Sequence, residues 1–186
     1  LLVNSPRAIE AAVDKYLSLA LLQRAGIPVP ATFVAQDLST AMKGFHELGE
    51  DVVVKPIFGS LGRGLVRLQA VDQAANYFRE LADGQRVIYQ QEFIAHAGYD
   101  VRLLVLGDRV WGMKRKNPHH WITNISQGGI GEVYQVGERE RELALAASAA
   151  VGAHFAGVDL ITDAKTGEQF VLEVNAVPGW RAIADV

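Results

Sequence analysis

Apolar positions along the chain follow two rhythms. From Pro6 to Ala25, Ile9, Val13, Leu17, Ala20, Leu21 and Leu22 recur close to every 3.6 residues, the spacing of one helical face. Ser5 before Pro6 is a start signal and Gly26 a stop, so a single helix is expected over 6–25. Gly26-Ile27-Pro28-Val29-Pro30 then reads as a rigid connector into a short strand, Thr32–Ala35. A helix over Ser39–Leu48, a strand over Asp51–Lys55, a glycine-rich loop and a strand near Leu65–Leu68 follow. A helix over Asp72–Leu81 and a strand over Arg86–Glu92 complete this half.

Beyond Gly98 the texture changes. Asp100–Leu106 and Arg109–Lys114 are apolar-rich runs separated by Gly107-Asp108, a turn pair that predicts an antiparallel hairpin. Residues 115–131 read as a polar, glycine-rich excursion, and the alanine-rich stretch Glu138–His154 as a long helix. Strands are expected at Gly157–Thr162 and Gln169–Val174, joined by the surface turn Asp163–Gly167. Hairpins and short turns cannot link parallel strands, which need long crossovers. The expected class is therefore α+β, with two largely antiparallel sheets and a boundary between two lobes near 93–99.

Composition narrows the function classes. At 186 residues the chain is one to two domains of about 150 residues. Its apolar fraction of 49% and charged fraction of 21% argue against a disordered or collagen-like polymer. With no Cys there is no disulfide, thiolate nucleophile or Cys-ligated metal. A net charge of −3 argues against bulk nucleic acid or an anionic membrane as partner. No apolar run approaches the ~18 residues of a membrane helix, so a soluble, cytoplasmic protein is expected. The opening Leu1-Leu2-Val3-Asn4-Ser5 has no initiator Met and reads as a chain entered part-way.

Three constellations carry candidate chemistry. The first is Lys55-Pro56-Ile57-Phe58-Gly59-Ser60-Leu61-Gly62-Arg63-Gly64, a lysine at a strand end followed by three spaced glycines. Such a loop can curl its N–H groups round phosphate oxygens while Lys55 adds a point charge. It can equally be a hairpin loop with glycines at left-handed positions. The second is Asp159, Glu173 and Asn175, on two neighbouring strands. Glu173 and Asn175 share a face, and three oxygen ligands suit Mg²⁺. The alternative is a carboxylate paired with an arginine at a sheet edge. The third is basic: Arg102, which shares a strand face with Asp100, then Lys114-Arg115-Lys116, and Arg181 after Trp180. The five histidines have no metal spacing, and no serine lies in a nucleophile-elbow pattern. Catalysis by positioned charge is therefore expected, not covalent catalysis.

These segments, with Val3-Asn4-Ser5, Asp14-Lys15, Val52-Val53-Val54-Lys55-Pro56, Gln91-Glu92-Phe93-Ile94, Asp100-Val101-Arg102, Asn124 before Gly128-Gly129, Gly157-Val158-Asp159 and Glu173–Gly179, form an ordered set. In that order the chain resembles the ATP-grasp superfamily. Within it the set is similar to the carboxylate–amine ligases: ribosomal-protein glutamate ligases, lysine-biosynthesis ligases and tetrahydromethanopterin glutamate ligases. The resemblance implies an ATP-grasp fold, two lobes with largely antiparallel sheets that clasp ATP. Residues 1–30 would be a linker and helix leading into the core. Residues 31–93 would be the small lobe with its lid loop, and 94–186 a large lobe with the Mg²⁺ site, cut short at its C-terminus. A further N-terminal α/β domain would precede the stretch.

The same resemblance implies roles. Lys15 and Lys55 would contact ATP phosphates under a lid formed by Gly59, Ser60, Gly62 and Gly64. Glu92, Phe93 and Ile94 would line the adenine and ribose pocket, with Asp100 also facing the nucleotide. Asp159, Glu173 and Asn175 would hold Mg²⁺, with Mn²⁺ as the alternative. Arg115 and Asn124 would bind phosphate and acyl phosphate, with Lys55 as a third catalytic group. Arg102 and Arg181 would meet the substrate carboxylate. The implied reaction is ATP-dependent amide formation through an acyl phosphate, adding glutamate or a similar amino acid to a protein tail or cofactor precursor. Partners would be ATP, an amino acid and a carboxylate-bearing acceptor, with a homo-oligomer left open. Gln127 stands where ribosomal-protein ligases carry a basic residue, and the Trp180-Arg181 ending resembles homologues linked with pterin-cofactor synthesis. The rival readings are a nucleotide-binding module without ligase activity, another ATP-grasp enzyme, and a structural interaction domain.

Overall fold

The computed structural model describes residues 3–59, 61–179 and 183. Along the chain lie α1 (Pro6–Val13), α2 (Lys15–Arg24), β1 (Thr32–Ala35), α3 (Leu38–Glu47), β2 (Val52–Lys55) and β3 (Val66–Leu68). Then come α4 (Val71–Asp83), β4 (Ile88–Glu92), β5 (Tyr99–Leu106), β6 (Arg109–Lys116), β7 (Ile130–Tyr134), α5 (Glu138–Ala150), β8 (Phe155–Thr162) and β9 (Gln169–Asn175). They form two compact units, Pro30–Ile94 and Leu1–Val29 with Ala95–Val186. The smaller unit has a four-stranded sheet ordered β1-β4-β2-β3, the larger a five-stranded sheet ordered β7-β6-β5-β8-β9. Every pairing is antiparallel, so the expected α+β class holds.

Both sheets use strand alternation in the same way: one face packs on helices and the other carries polar chemistry. In the smaller unit Ala35, Val52, Val54, Leu68 and Ile88 pack with Ala41, Phe45, Ala74, Phe78 and Leu81 of α3 and α4. Phe45 and Phe78 meet edge to face, centroids 6.3 Å apart. In the larger unit Val101, Leu103, Val105, Val158, Leu160, Val171 and Val174 face Leu143, Ala144 and Ala147 of α5 and Ala8, Ala11, Ala12 and Leu22 of α1 and α2. Small alanines on these helices allow close approach to the sheet. The register then places Asp100, Arg102, Asp159 and Glu173 on the opposite face.

Three expected elements differ. The helix over 6–25 is two helices, broken at Asp14. That residue closes α1 in an extended conformation, and its carboxylate accepts from the N–H groups of Tyr16 and Leu17 at 2.9 and 3.1 Å. A capping carboxylate satisfies the first donors of α2, which unbroken helix would bond otherwise. The long helix stops at Ala150, not His154. Ser148 Oγ donates to Ala153 O at 2.7 Å and Ser148 O accepts from Ala153 N–H at 2.9 Å, turning the chain into β8. The excursion over 115–131 yields to regular structure at both ends. β6 runs to Lys116, and β7 begins at Ile130 as an edge strand with Ile130 and Val133 exposed.

Candidate functional site

On the polar face of the larger sheet, β5, β6 and β8 bring four charged side chains into one buried row. Arg102 is the cross-strand partner of Asp159, and Asp100 that of Arg115. Arg102 forms a fork with Asp159, Nε to Oδ1 and Nη2 to Oδ2 both at 2.6 Å. Arg115 forms a second fork with Asp100, Nε to Oδ1 at 2.8 Å and Nη2 to Oδ2, and its Nη2 also reaches Asp159 Oδ2 at 3.0 Å. The Arg115, Asp100 and Asp159 side chains are 3%, 5% and 6% exposed, so water does not screen these pairs. Gly157 belongs to the same face. A Cβ there would meet Pro178 Cβ at 2.9 Å and Arg102 Cδ at 3.7 Å, so only glycine lets the Arg102 stem and Pro178 close over the strand.

The row sets its own ionisation. Burial disfavours an ionised Asp159, but Arg102 and then Arg115 outweigh it and hold the carboxyl down at about 2. Burial pushes the Asp100 carboxyl up, because its main counter-charge is Arg115 alone, with a hydrogen bond from the Thr123 side chain in support. For both arginines burial lowers the affinity for a proton. For Arg115, Asp159 and then Asp100 reverse that effect; for Arg102, Asp159 does, with Glu173 adding to the negative field. Both guanidiniums use Nε and Nη2 in these forks.

Glu173 pairs across the strands with Asp159, and Asn175 follows two residues later on the same face. Asn175 Oδ1 accepts from Val177 N–H at 2.8 Å, which shapes the turn after β9. The donor set is all oxygen, the type a hard divalent cation takes. The Asp159 carboxylate also accepts from two guanidiniums. Among the described residues no group of three or more His, Cys, Asp or Glu is gathered as a metal would need. Glu173, Asn175 and Asp159 would hold such a cation, with Asp159 carrying two arginine contacts in this arrangement, and no chemical step is derived through one. The pairing weighed for a sheet edge is present, but in the interior strands β5 and β8.

Asn124 opens a short 3₁₀ turn at Ile125–Gln127, and its carbonyl accepts from the N–H groups of Gln127 and Gly129 at 2.9 and 3.1 Å. A Cβ at Gly129 would lie 2.0 Å from Thr123 O, so the turn demands glycine. Asn117 ties the excursion down from beneath, its Nδ2 donating to Ile122 O at 2.8 Å. Lys15 is the first residue of α2, directly after the capping Asp14.

In the smaller unit, Lys55 ends β2 and donates from Nζ to Gln91 Oε1 at 2.5 Å. The glycine-rich stretch is the connection of the antiparallel β2–β3 pair. Gly62, Gly64 and Leu61 have φ of 69°, 73° and 65°, and Phe58 is exposed. Leu61 is a non-glycine residue in the left-handed region, a strained setting. Gly59 lies in the same connection, and Ser60 lies outside the described residues, as do Trp180 and Arg181. Glu92 Oε1 accepts from Ala31 N–H at 2.8 Å, and Ile94 is buried. Phe93 lies under the Arg67 guanidinium, 3.4 Å from ring centroid to carbon, while Arg67 forks onto Asp51 at 2.7 and 2.5 Å.

Sequence reasoning placed Asn4 in a segment of the resemblance but gave it no role. It is buried and uses both ends of its amide: Nδ2 donates to Phe155 O and Ala176 O at 2.7 Å each, and Oδ1 accepts from His154 N–H and Phe155 N–H at 2.8 and 3.0 Å. It clamps the start of β8 to the residue after Asn175. The signals were its place in Val3-Asn4-Ser5 and a polar residue beside an apolar run.

Comparison with known proteins identifies the family and the fold. The family described as RimK-like ATP-grasp domain matches residues 12–186. The tetrahydromethanopterin:alpha-L-glutamate ligase of Methanococcus maripaludis is 36% identical over 193 residues, covering 100% of this chain and 64% of the relative. The alpha-aminoadipate–LysW ligase LysX of Saccharolobus solfataricus is 32% identical, covering 96% of this chain and 66% of the relative. The chain thus spans just under two thirds of these relatives' length. The ATP-grasp ligase PsnB, solved with a minimal precursor, Mg and ADP, superposes with a TM-score of 0.78 at 28% identity, over 98% of this chain and 56% of that one. No helix among the described residues is long and apolar enough to cross a membrane. With two antiparallel sheets in this order and a match along nearly its whole length, the chain belongs to the RimK-like ATP-grasp domain family.

Proposed function

We propose that this chain is the ATP-grasp part of an ATP-dependent carboxylate–amine ligase that joins glutamate, or a similar amino acid, to a carboxylate-bearing acceptor. The acceptor carboxylate oxygen attacks the γ-phosphorus of ATP, the bond to the β-bridging oxygen breaks, and ADP leaves. The amino nitrogen then attacks the acyl carbon, phosphate leaves with the C–O electron pair, and the nitrogen sheds a proton as the amide forms. Such chemistry needs positioned cations more than a nucleophilic side chain. Lys15 and Lys55 would bear on the phosphates. Glu92, Phe93 and Ile94 would bear on the base and ribose, Asn124 on the acyl phosphate, and Arg102 and Arg115 on transferring or carboxylate oxygens.

The observation that supports the reading best is the buried row Asp100–Arg115–Asp159–Arg102, which holds two guanidiniums rigid on one face in a chain of this family. Glutamate as donor rests on the named relatives, and a cytoplasmic setting on the demand for ATP. The engagement of Asp159 by two arginines favours a second reading, a nucleotide-binding module that does not turn over. Incubation with ATP, Mg²⁺, glutamate and candidate acceptors, with mass spectrometry of the products, separates them. The ligase reading expects ADP and an acceptor heavier by one amino acid residue. The module reading expects bound ATP and no product.

A further inference from the structure

One row on the smaller sheet has a directional hydrogen-bond chain. Thr32 of β1, Gln91 of β4 and Val53 of β2 are successive register partners, and Lys55 lies two residues beyond Val53 on the same face. Gln91 is 2% exposed. The Thr32 hydroxyl donates to the Pro30 carbonyl at 2.9 Å, Gln91 Nε2 donates to Thr32 Oγ1 at 2.9 Å, and Lys55 Nζ donates to Gln91 Oε1 at 2.5 Å.

The direction of this chain is dictated from its far end. A carbonyl only accepts, so Thr32 gives its single hydroxyl proton to Pro30. Its oxygen then stands as an acceptor, which the NH₂ side of the Gln91 amide satisfies. The amide oxygen must therefore point the other way, toward the ammonium of Lys55, a group that only donates. Amide orientation is usually assigned from such a network, and here Thr32 and Lys55 give the same answer.

We propose that Thr32 and Gln91 form a positioning relay that holds the Lys55 ammonium in place for a nucleotide phosphate without supplying a counter-charge. The inference rests on the reading of Lys55 as a phosphate contact. A lysine stem carries about 2 kcal/mol of rotamer entropy, and a fixed acceptor removes that freedom before the anion arrives. Glutamate at 91 would hold the ammonium at least as firmly, but would neutralise it and repel phosphate. The neutral amide therefore distinguishes a functional anchor from a structural one. Gln91 would act through the lysine it accepts from, so its part is positioning.

The test uses the full chain with four variants: Gln91→Met, Gln91→Glu, Thr32→Val and Thr32→Ser. Lysine labelled with ¹³C at Cε reports the order of the Lys55 side chain without nucleotide, its signal assigned through Lys55→Arg, and calorimetry reports ATP affinity. Lys55 is expected to be ordered in the parent, Thr32→Ser and Gln91→Glu, and mobile in Gln91→Met and Thr32→Val. ATP affinity is expected to fall about tenfold in Gln91→Met, as for one lost hydrogen bond to a charged group. It is expected to fall at least as far in Gln91→Glu although Lys55 stays ordered, and to be kept in Thr32→Ser. Unchanged Lys55 order in Gln91→Met and Thr32→Val overturns the relay, as does unchanged ATP affinity in Gln91→Glu, a near-isosteric change that keeps the test sound if the Met variant misfolds. If ATP binds and Lys55→Ala weakens it while the Gln91 variants do not, the relay alone fails. If the parent binds no ATP, the nucleotide reading fails and the relay loses its phosphate role.

Discussion

The polar faces of the two sheets solve the same problem in opposite ways. Each sheet buries one face on helices and leaves the other to place cations. In the larger unit Arg102 and Arg115 are held by carboxylates, so each positive charge is matched within the row. In the smaller unit Lys55 is held by an amide, itself oriented by a hydroxyl and a backbone carbonyl. The first arrangement fixes geometry through strong, mutually dependent charges that fail together when one is removed. The second fixes geometry through neutral dipoles, so the relay brings no charge of its own to compete with an anion. Rigidity is common to both, and only the carboxylate row carries a large electrostatic penalty if broken.

The sharpest way to break this contrast is to remove Arg115. Arg115→Met leaves Asp100 and half of the Asp159 pairing buried without a counter-charge, an expected loss of about 3–5 kcal/mol in urea unfolding. Gln91→Met, by contrast, strips one neutral link and is expected to cost about 1–2 kcal/mol by the same assay. Equal losses would erase the distinction between the two faces.

Acid sharpens it further. The Asp159 carboxyl is held at about 2 against an ordinary value of 3.8. The unfolded chain therefore binds its proton first on acidification. The contribution is fully present above about pH 4 and is lost as pH falls toward 2, worth about 2 kcal/mol. Asp100, raised by burial, works in the opposite direction. Stability curves of the parent and Asp159→Asn are expected to converge between pH 4 and 2, and curves that stay parallel would contradict the assignment. The smallest effect lies outside both faces. Asp14→Ala removes the cap of α2 and is expected to cost about 1 kcal/mol, seen as a small fall in the urea midpoint.

What could be read from sequence follows from the range of the interactions. The apolar runs of β5, β8 and β9 are visible along the chain, and they put Asp159 and Glu173 on neighbouring strands before any coordinates, whereas the register shift that pairs the two residues is not local. The Gly107-Asp108 hairpin is equally local. The pairing of Arg102 with Asp159 is not local, since it depends on the register of strands 57 residues apart. β7 escaped because Ile130 and Val133 lie exposed at an edge, leaving no buried face for its alternation to mark. The break at Asp14 escaped because one capping carboxylate overrides a helical period that continues through it. Asn4 shows the same limit, because a single amide joining residues 4, 155 and 176 has no periodicity.

The central claim is that an acyl phosphate forms on the acceptor. An acceptor whose carboxylate carries ¹⁸O, incubated with the protein, ATP, Mg²⁺ and glutamate, tests it most directly. The account predicts one ¹⁸O in the inorganic phosphate for each amide formed. Amide formation with unlabelled phosphate, or ADP release with all ¹⁸O retained on the acceptor, would contradict it.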